Sequence, residues 1–329
     1  MRVLVTGGAG FIGSVVVAQL LAEGQEVVVY DDLSKGNRRA VSAKAELIVG
    51  KLEDITHLSS VFQKYKFDAV MHFAASIEAG ESMKTPTRYF RNNTANAMTL
   101  LGQVAEYGVS RFVFSSTAAL YGNPLRSPIL ETDALQPTNV YGESKLLVER
   151  TLPWYHRIHG LSYASLRYFN AAGATAELGE MHVPETHLVP ILLRVAAGQR
   201  DSVAIFGTDY ETFDGTCIRD YVHVSDLASA HLLALDAITV LGSPKASIYN
   251  LGNGRGFSVR QVIEVARRVT GHAIPAIEEA RRPGDPAILV ASSDKIRLEL
   301  GWKPQYTELG AIVSSAWNWF QRHPNGYVD

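Results

Sequence analysis

The chain has 329 residues, enough for one large core or two modest domains, and its 47% hydrophobic and 19% charged residues are ordinary for a globular protein. A net charge of −2 gives no attractive field for nucleic acid or an acidic membrane surface, and no apolar run approaches the ~18 residues of a membrane span. The single cysteine, Cys217, excludes an intrachain disulfide and a thiolate metal cluster. We therefore expect a soluble cytoplasmic protein with no metal, no nucleic-acid partner and no membrane partner.

The first predicted elements are a strand, a glycine turn and a helix. Residues 3–5 are apolar and form the strand, glycines follow at Gly7, Gly10 and Gly13, and apolar residues then recur at helical spacing up to Gly24. At such a turn, free backbone N–H groups and the positive end of the helix dipole bind a pyrophosphate. The glycines are spaced three and three rather than two and three, so the prediction of a nucleotide site also depends on the flanking elements.

The second predicted strand, residues 26–31, ends in an acid, Asp31, which stands 18 residues after Gly13. A carboxylate at this place accepts hydrogen bonds from the 2′-hydroxyl of an adenosine ribose, which favours NAD over NADP. Arg38 and Arg39 follow closely, so a reductase that uses NADPH stays an alternative, although Asp31 disfavours it.

Strand and helix patterns continue to alternate through the first half of the chain. The third to sixth strands are predicted at residues 46–49, 67–73, 111–116 and 161–168. Helices are predicted at residues 52–65, 86–107 and 141–159. This alternation is typical of an α/β fold of the Rossmann type, a doubly wound parallel sheet that binds ligands at the carboxyl ends of its strands.

From about Asn170 the pattern loosens, with Gly, Pro, Asp and Thr spread through residues 171–216. We therefore divide the chain into an NAD-binding Rossmann domain, residues 1–169, and a smaller C-terminal α/β domain, residues 170–329. The cleft between the two domains would hold the substrate.

Further strand and helix patterns occur in the second half. A strand at 221–224 and a helix at 225–235 are predicted, and this segment, near 220–240, is expected to return to the large sheet. Two more helices are predicted near residues 258–270 and 309–322.

Tyr141 and Lys145 are four residues apart in a predicted helix and therefore share one face. A free phenol has a pKa near ~10 and is no base at neutral pH, but a neighbouring ammonium and a nicotinamide cation favour the phenolate. Thr117 lies just past the fifth strand, 24 residues before Tyr141, where its hydroxyl could bind the same substrate oxygen. These three side chains are the predicted catalytic group.

Several motifs resemble those of the extended short-chain dehydrogenase/reductase family, and within it the UDP-sugar 4-epimerases, over essentially the whole chain. Motifs shared with many sugar-nucleotide enzymes are TGGAGFIG at 6–13, HFAA at 72–75, GES at 80–82, SSTAALYG at 115–122 and YGESK at 141–145. Motifs closer to the 4-epimerases are DGTCIRDY at 214–221 and HPNGY at 323–327.

This resemblance implies interconversion of UDP-glucose and UDP-galactose through a transient 4-keto sugar, with hydride passed to and from tightly bound NAD. It implies that Tyr141 takes the proton of the sugar 4-hydroxyl, that Thr117 bridges this hydroxyl and Tyr141, and that Lys145 bonds the nicotinamide ribose. It also implies a homodimer formed through the helices at 86–107 and 141–159.

The other site residues follow from the same resemblance. It implies an NAD site made of Gly7, Gly10, Phe11, Ile12, Gly13, Asp31, Asp32, Leu33, Ser34, Lys35, Gly36, Lys51, Leu52, Phe73, Ala74, Ala75, Ile77, Asn92, Ser115, Tyr141, Lys145, Tyr168 and Phe169. It implies a UDP-hexose site made of Thr117, Asn170, His187, Leu188, Ala204, Ile205, Phe206, Arg219, Tyr221, Arg282 and Asp285. The two arginines suit a diphosphate because the guanidinium fork matches its oxygens.

Four positions depart from the family pattern. Lys51 stands where many members have an acid that contacts adenine, and a lysine cannot accept a hydrogen bond from the adenine amino group. Ile77 replaces a phosphate-binding lysine of some members. Pro153 lies inside the helix at 141–159, where a proline costs ~3 kcal/mol or forces a kink. Leu289 lies near the position whose size limits N-acetyl sugars in relatives.

The sequence leaves several alternative functions open. The nearest is a 4-epimerase of another UDP sugar, xylose/arabinose or an N-acetylhexosamine, with the same catalytic group and different sugar contacts. A 4,6-dehydratase is disfavoured because Thr117 is followed by two alanines and not by an Asp-Glu pair. A non-catalytic NAD-binding sensor is the remote alternative. Two substrate residues also have structural interpretations, Arg219 as a salt bridge with Asp220 and Phe206 as a core residue.

Overall fold

The computed structural model describes residues 1–239, 243–282 and 284–327. The described strands are β1 (Arg2–Thr6), β2 (Glu26–Asp31), β3 (Glu46–Val49), β4 (Ala69–His72), β5 (Arg111–Thr117), β6 (Ser162–Tyr168), β7 (Asn170–Ala172), β8 (Val203–Phe206), β9 (Ile218–His223), β10 (Ala246–Leu251), β11 (Gly256–Ser258), β12 (Ala276–Glu279) and β13 (Ile288–Leu289). The described α-helices are α1 (Phe11–Ala22), α2 (Ile55–Tyr65), α3 (Ala79–Ser82), α4 (Pro86–Tyr89), α5 (Asn96–Glu106), α6 (Val140–His159), α7 (Leu188–Ala196), α8 (Val224–Ala237), α9 (Val259–Thr270), α10 (Asp294–Leu300) and α11 (Leu309–Arg322).

Seven parallel strands form the large sheet in the order β10-β6-β5-β4-β1-β2-β3. Apolar residues cover both of its faces, in one cluster with α1 and α8 and in a second cluster with α2, α5 and α6. The predicted doubly wound α/β fold is confirmed. The parallel order brings the carboxyl ends of β1, β4, β5 and β6 to one edge, where the segments after these strands meet.

A smaller four-stranded sheet is built around β9, which pairs with β7, β11 and β13. The strand predicted at 221–224 belongs to β9 and therefore does not return to the large sheet. The helix that follows it, α8, does pack against α1 on one face of the large sheet. The seventh large strand is β10, beside β6. Its sequence, ASIYNL, mixes polar and apolar residues, which is why its pattern was not predicted as a strand.

The segment 86–107 is helical but not one regular α-helix. A π-helix, Phe90–Ala95, joins α4 to α5. The wider turn is a common feature of functional sites, and here it carries Asn92 and Asn93. The amide Nδ2 of Asn92 donates to Ser76 Oγ at 3.0 Å, and that of Asn93 donates to Ser144 Oγ at 3.0 Å.

The helix α6, which carries the predicted catalytic residues Tyr141 and Lys145, continues through Pro153 from Val140 to His159, so the proline does not break it. Asn139 caps its first turn, and its side chain accepts a hydrogen bond from the N–H of Gly142 at 2.8 Å. Pro153 lies on the exposed side of the helix, where its ring needs no space in the core. Among the helices that the structure describes, none has the length and apolar character needed to cross a bilayer.

Candidate active site

The glycine turn after β1 is packed too closely for side chains. Gly7 has φ of +73°, and a Cβ there would lie 2.4 Å from the backbone N of Ala74, in the segment after β4. A Cβ on Gly13 would lie 2.3 Å from the carbonyl oxygen of Gly7. No side chain caps the first turn of α1, and no acid lies in that turn. The positive helix end is therefore available to an anion.

Asp31, at the end of β2, fixes the two loops that border this turn. Its Oδ2 accepts a hydrogen bond from Ala9 N at 3.0 Å, and its Oδ1 accepts one from Leu33 N at 2.9 Å. Burial raises the pKa of Asp31, although the two N–H groups lower it in part. A Cβ on Gly36 would lie 2.8 Å from that of Ala9, so the loop 32–36 also lies against the glycine turn. The turn, the uncapped helix and the carboxylate fit a dinucleotide.

Lys51 and Ile77, the two predicted NAD-site residues that depart from the family pattern, have different environments. The side chain of Lys51 is exposed, and its ammonium lies 3.8 Å from Glu53. The carbonyl of Lys51 accepts a hydrogen bond from the hydroxyl of Tyr30 at 3.0 Å, while the adjacent Leu52 is buried. Ile77 is 37% exposed and brings no charge to the loop after β4.

The predicted catalytic residues Thr117 and Tyr141 lie beside each other. Thr117 ends β5, and Tyr141 lies in the first turn of α6. The approach of α6 to β5 requires Gly142, because a Cβ there would lie 2.6 Å from the carbonyl oxygen of Ala119. Burial raises the pKa of Tyr141, and the hydrogen bond with Thr117 lowers it only in part.

Lys145 lies one helical turn after Tyr141 and is buried. Its ammonium donates to the carbonyl of Ser115 at 2.9 Å and lies 5.0 Å from the centre of the Phe114 ring. Burial lowers the pKa of Lys145 to about 7. The hydroxyl of Ser115 is hydrogen-bonded to that of Tyr168, which places a fourth member of the predicted NAD site here.

Several residues that the sequence analysis did not select hold α6 in place. Tyr141 N donates to Ser82 Oγ at 3.1 Å. Further along the helix, the Glu149 carboxylate pairs with the Arg167 guanidinium of β6 at 2.6 Å, and both side chains are almost fully buried. Ser82 occurs in the GES motif, which could have indicated it, whereas Glu149 and Arg167 are only brought together by the fold.

Apart from Thr117 on β5, the predicted substrate residues lie on β7, β8 and β9, at the N-terminal end of α7 and in the loop before β13. Asn170 and Tyr221 are paired in the smaller sheet, and the guanidinium carbon of Arg282 lies 3.8 Å from the centre of the Phe206 ring. An open cleft of about 450 Å³ adjoins Arg282 and Asp285. Its lining residues are Asn123, Tyr210, Arg281, Arg282, Gly284, Asp285 and Ala287.

Arg219 pairs with Asp285 and not with its sequence neighbour Asp220. Its guanidinium also donates to the carbonyls of Ile218 at 2.8 Å and Pro286 at 2.7 Å. The Asp220 carboxylate accepts N–H groups from a separate loop instead. Arg219 therefore does form a salt bridge, but with Asp285 instead of Asp220. Asp285 belongs to the same predicted substrate site.

Leu188 begins α7, and His187 immediately precedes it. The helix α7 lies in the segment 171–216, where no helix was predicted. Leu289, on β13, packs against a small apolar cluster that includes Phe169. This cluster therefore connects the strand that carries Leu289 with the predicted NAD site.

Comparisons with known proteins agree with this geometry. The model of the NAD dependent epimerase/dehydratase family matches residues 3–252. A UDP-glucose 4-epimerase of Halalkalibacterium halodurans is 51% identical, over 99% of this chain and 98% of its own length. The crystal structure of the Brucella ovis UDP-glucose 4-epimerase in complex with NAD has a TM-score of 0.92 and 44% identity, over 96% of this chain and 97% of that one.

A second solved structure shows the same likeness at lower identity. The Bifidobacterium longum UDP-glucose 4-epimerase in complex with NAD+ and UDP has a TM-score of 0.95 and 36% identity, over 99% of this chain and 100% of that one. The agreement therefore covers both sheets and not only the nucleotide-binding half. On the match over residues 3–252 and the 51% identity, this chain belongs to the NAD dependent epimerase/dehydratase family.

Proposed function

We propose that this chain inverts C4 of UDP-hexoses and interconverts UDP-glucose and UDP-galactose, with NAD held throughout. The observation that carries the proposal is the position of Thr117 beside Tyr141, together with the buried Lys145, whose ammonium donates to the carbonyl of Ser115 on β5 at 2.9 Å. The relative that is 51% identical is a UDP-glucose 4-epimerase. The full-length likeness to an epimerase in complex with NAD+ and UDP supports the same cofactor and nucleotide.

The glycine turn and Asp31 would hold NAD, which would supply a hydride acceptor for C4 of the sugar and a hydride donor for the opposite face of the ring. In the first half-reaction Tyr141 takes the proton of the 4-hydroxyl, and Thr117 bridges that hydroxyl and the phenol. Because burial raises the pKa of Tyr141 in the protein alone, forming the phenolate depends on positive charge brought to the site. In the second half-reaction Tyr141 returns the proton to the new hydroxyl.

The uridine diphosphate must stay bound while the 4-keto hexose turns over. Arg282 lines the open cleft, and Arg219 pairs with Asp285, which also lines it, so the two arginines supply guanidinium groups for the two phosphates. Asp285, paired with Arg219, is placed to accept a hydroxyl of the sugar or ribose. A strong hold on the diphosphate and a weak hold on the hexose would suit this step.

We assign the NAD site to residues 1–169 and the UDP-sugar site to residues 170–329, with α8 packing on the first part. We also propose a cytoplasmic homodimer formed through α6 and the helical segment 86–107. Trp154 and Ile158, one turn apart on α6, are 58% and 67% exposed, an apolar pair that a second copy could cover. The buried, single Cys217 is consistent with a reducing compartment.

The decisive assay incubates the purified protein with one UDP sugar at a time and no added cofactor. The panel contains UDP-glucose, UDP-galactose, UDP-xylose and UDP-N-acetylglucosamine, and Tyr141→Phe serves as the matched control. We expect wild-type protein to bring UDP-glucose and UDP-galactose to one equilibrium mixture from either side. Conversion of another pair alone would replace this substrate assignment, and no conversion of any sugar would remove the epimerase function.

A further inference from the structure

A strap of residues 180–187, which leads into α7, gathers two histidines and two glutamates outside the catalytic group. Glu180, His182, Glu185 and His187 each direct one ligand atom into a common region, and these atoms all lie within 4.8 Å of one another. His187 Nδ1 lies 3.0 Å from an oxygen of Glu180 and 3.0 Å from an oxygen of Glu185. His182 Nδ1 lies 3.3 Å from Glu180 and 3.8 Å from Glu185.

Hydrogen bonds within the strap satisfy this cluster only in part, since Glu185 Oε1 accepts the backbone N–H groups of Thr186 and His187, each at 2.9 Å. The side chain of Glu185 is 1% exposed, yet its Oε2 has no hydrogen-bond partner among the described residues. His182 Nδ1 is also buried without a hydrogen bond, because its contacts with the two glutamates lack the required geometry. A buried carboxylate oxygen without a partner is costly, and a cation directed at it would remove that cost.

The four side chains are close enough together to surround a small tetrahedral ion. Zinc binds imidazole nitrogen and carboxylate oxygen at about 2.0–2.2 Å, which gives a tetrahedron edge of about 3.4 Å. The histidine–carboxylate contacts measure 3.0–3.8 Å, with Glu185 contacting His187 through Oε1 and His182 through Oε2. One ligand atom from each residue lies within 4.8 Å of the others, so the side chains would draw closer around the ion. We propose that Glu180, His182, Glu185 and His187 form a binding site for a divalent transition metal, with zinc the ion that fits best.

Two imidazoles and two carboxylates distinguish this set from sites for magnesium or calcium, which take oxygen ligands. Four protein ligands fill a tetrahedron, as in structural zinc sites, so the ion has a structural and not a catalytic role. With Nδ1 of His187 on the metal, its Nε2 carries the ring hydrogen and stays available as a donor. The predicted role of His187 toward the UDP sugar is therefore compatible with the metal site.

The contacts of the strap show what an ion would fix. The ammonium of Lys35, in the loop after Asp31, donates to the carbonyl of Val183 at 2.6 Å. The hydroxyl of Thr186 is hydrogen-bonded to Glu78, in the segment after β4. The ion would hold the strap across the two loops of the proposed NAD site and join them to α7. This role rests on the proposed function, whereas the metal site itself does not.

Metal content tests the site independently of any epimerase assay. Protein freed of its affinity tag is incubated with zinc, dialysed and measured by inductively coupled plasma mass spectrometry. We expect about one zinc per chain in wild type and less than about a tenth of that in His182→Ala and Glu180→Gln. The control His272→Ala removes an exposed histidine far along the chain and should bind zinc like wild type.

A second measurement does not depend on the variants being folded. Wild-type protein loaded with Co2+ should show the intense visible absorption of tetrahedral coordination, and zinc should displace it. Circular dichroism checks that the two variants are folded. Zinc below about a tenth of an ion per wild-type chain, full zinc content in folded His182→Ala, or the weak absorption of six-coordinate Co2+ would each overturn the site.

Discussion

Tyr141 on α6 lies beside Thr117 at the end of β5, although 24 residues separate the two in sequence. The contact joins the large sheet to the helix that carries Lys145. It also places two hydroxyl groups where the carboxyl ends of the central strands meet, which is the position expected for a ligand in this fold. Substitutions of Tyr141 and Thr117 test the catalytic role of this pair.

Removing the phenol of Tyr141 with Tyr141→Phe should lower turnover by about 10²–10⁴-fold, the usual contribution of a positioned acid or base. Affinity for UDP should stay within about twofold, because the phenol reaches the sugar and not the diphosphate. Thr117→Ala should lower turnover as well, while Thr117→Ser retains the hydroxyl and serves as its control. Steady-state kinetics and UDP titration measure both effects. Normal turnover of Tyr141→Phe would remove this residue from the mechanism.

Gly142 sets the distance between α6 and β5. In Gly142→Ala the new Cβ would meet the Ala119 carbonyl oxygen at 2.6 Å, so the helix must shift and carry Tyr141 with it. We expect a loss of turnover of about 10²-fold, since small displacements of a catalytic group have such effects. Gly102→Ala, in α5 with nothing near the new Cβ, should leave turnover unchanged and stabilise the fold by about 1 kcal/mol. Equal effects of the two substitutions would contradict the packing argument.

The glycine turn predicts that the protein carries NAD as purified. An absorbance spectrum and an enzymatic assay of an acid extract should find cofactor in wild type without supplementation. In Gly13→Ala a Cβ would lie 2.3 Å from the Gly7 carbonyl oxygen and displace the turn, so bound NAD should fall by about 10-fold or more. Gly310→Ala, in α11, changes a glycine with no close neighbour and is the control for general effects of substitution.

Arg219→Ala should raise the Michaelis constant for every UDP sugar by a similar factor. Charge-assisted hydrogen bonds contribute about 1.5–3 kcal/mol, which corresponds to about 10–100-fold. The variant also leaves Asp285 without its guanidinium partner. Arg255→Ala removes an exposed ion pair with Glu308 and is the control for charge alone. A change confined to one sugar would mean that Arg219 contacts the hexose and not the diphosphate.

A buried histidine makes the stability of the fold depend on pH. Burial lowers the pKa of His231 from 6.5 to about 4, and the hydrogen bond with the Leu227 carbonyl opposes this only in part. Between these values the unfolded chain binds more protons, so the free energy of unfolding falls as the pH drops from 6.5 to about 4. One such histidine contributes at most about 1.4 kcal/mol per pH unit. In urea unfolding at a series of pH values, His231→Gln should weaken this dependence of the free energy of unfolding on pH. His272→Gln, at an exposed histidine, should leave the dependence unchanged.

Much of the nucleotide-binding half could be predicted because its signals are local. The strands at 26–31 and 46–49 have their predicted bounds, since each contains a continuous apolar run with clear ends. Of the two, β2 is largely buried, whereas β3 lies at the edge of the sheet and is partly exposed. The helix predicted from residue 52 begins later, at Ile55, because the Asp54 side chain caps it by accepting the N–H of His57. The π-helix at 90–95 has no sequence signal that separates it from an α-helix.

The structure of the C-terminal half is harder to predict from sequence because it depends on pairing between residues that are far apart in the chain. The polar residues of β9 are satisfied by distant groups, Arg219 by Asp285 and Asp220 by the loop at 253–254. Neither partner can be identified from spacing along the chain. The same is true of the four ligands in the strap, whose histidines and glutamates alternate with other residue types and carry no periodic pattern. Assignments that rest on the family resemblance, such as His187 toward uridine, stay predictions.

The buried pair of Glu149 and Arg167 limits how this enzyme can be redesigned. Removing one partner would leave an unpaired charge in the core and lower the free energy of unfolding by about 3–5 kcal/mol. The two positions can therefore be substituted only together. Efforts to broaden the sugar range should therefore leave α6 and β6 untouched. Substitutions are better placed on β8, on β13 and among the residues that line the cleft, where they do not disturb the position of Tyr141.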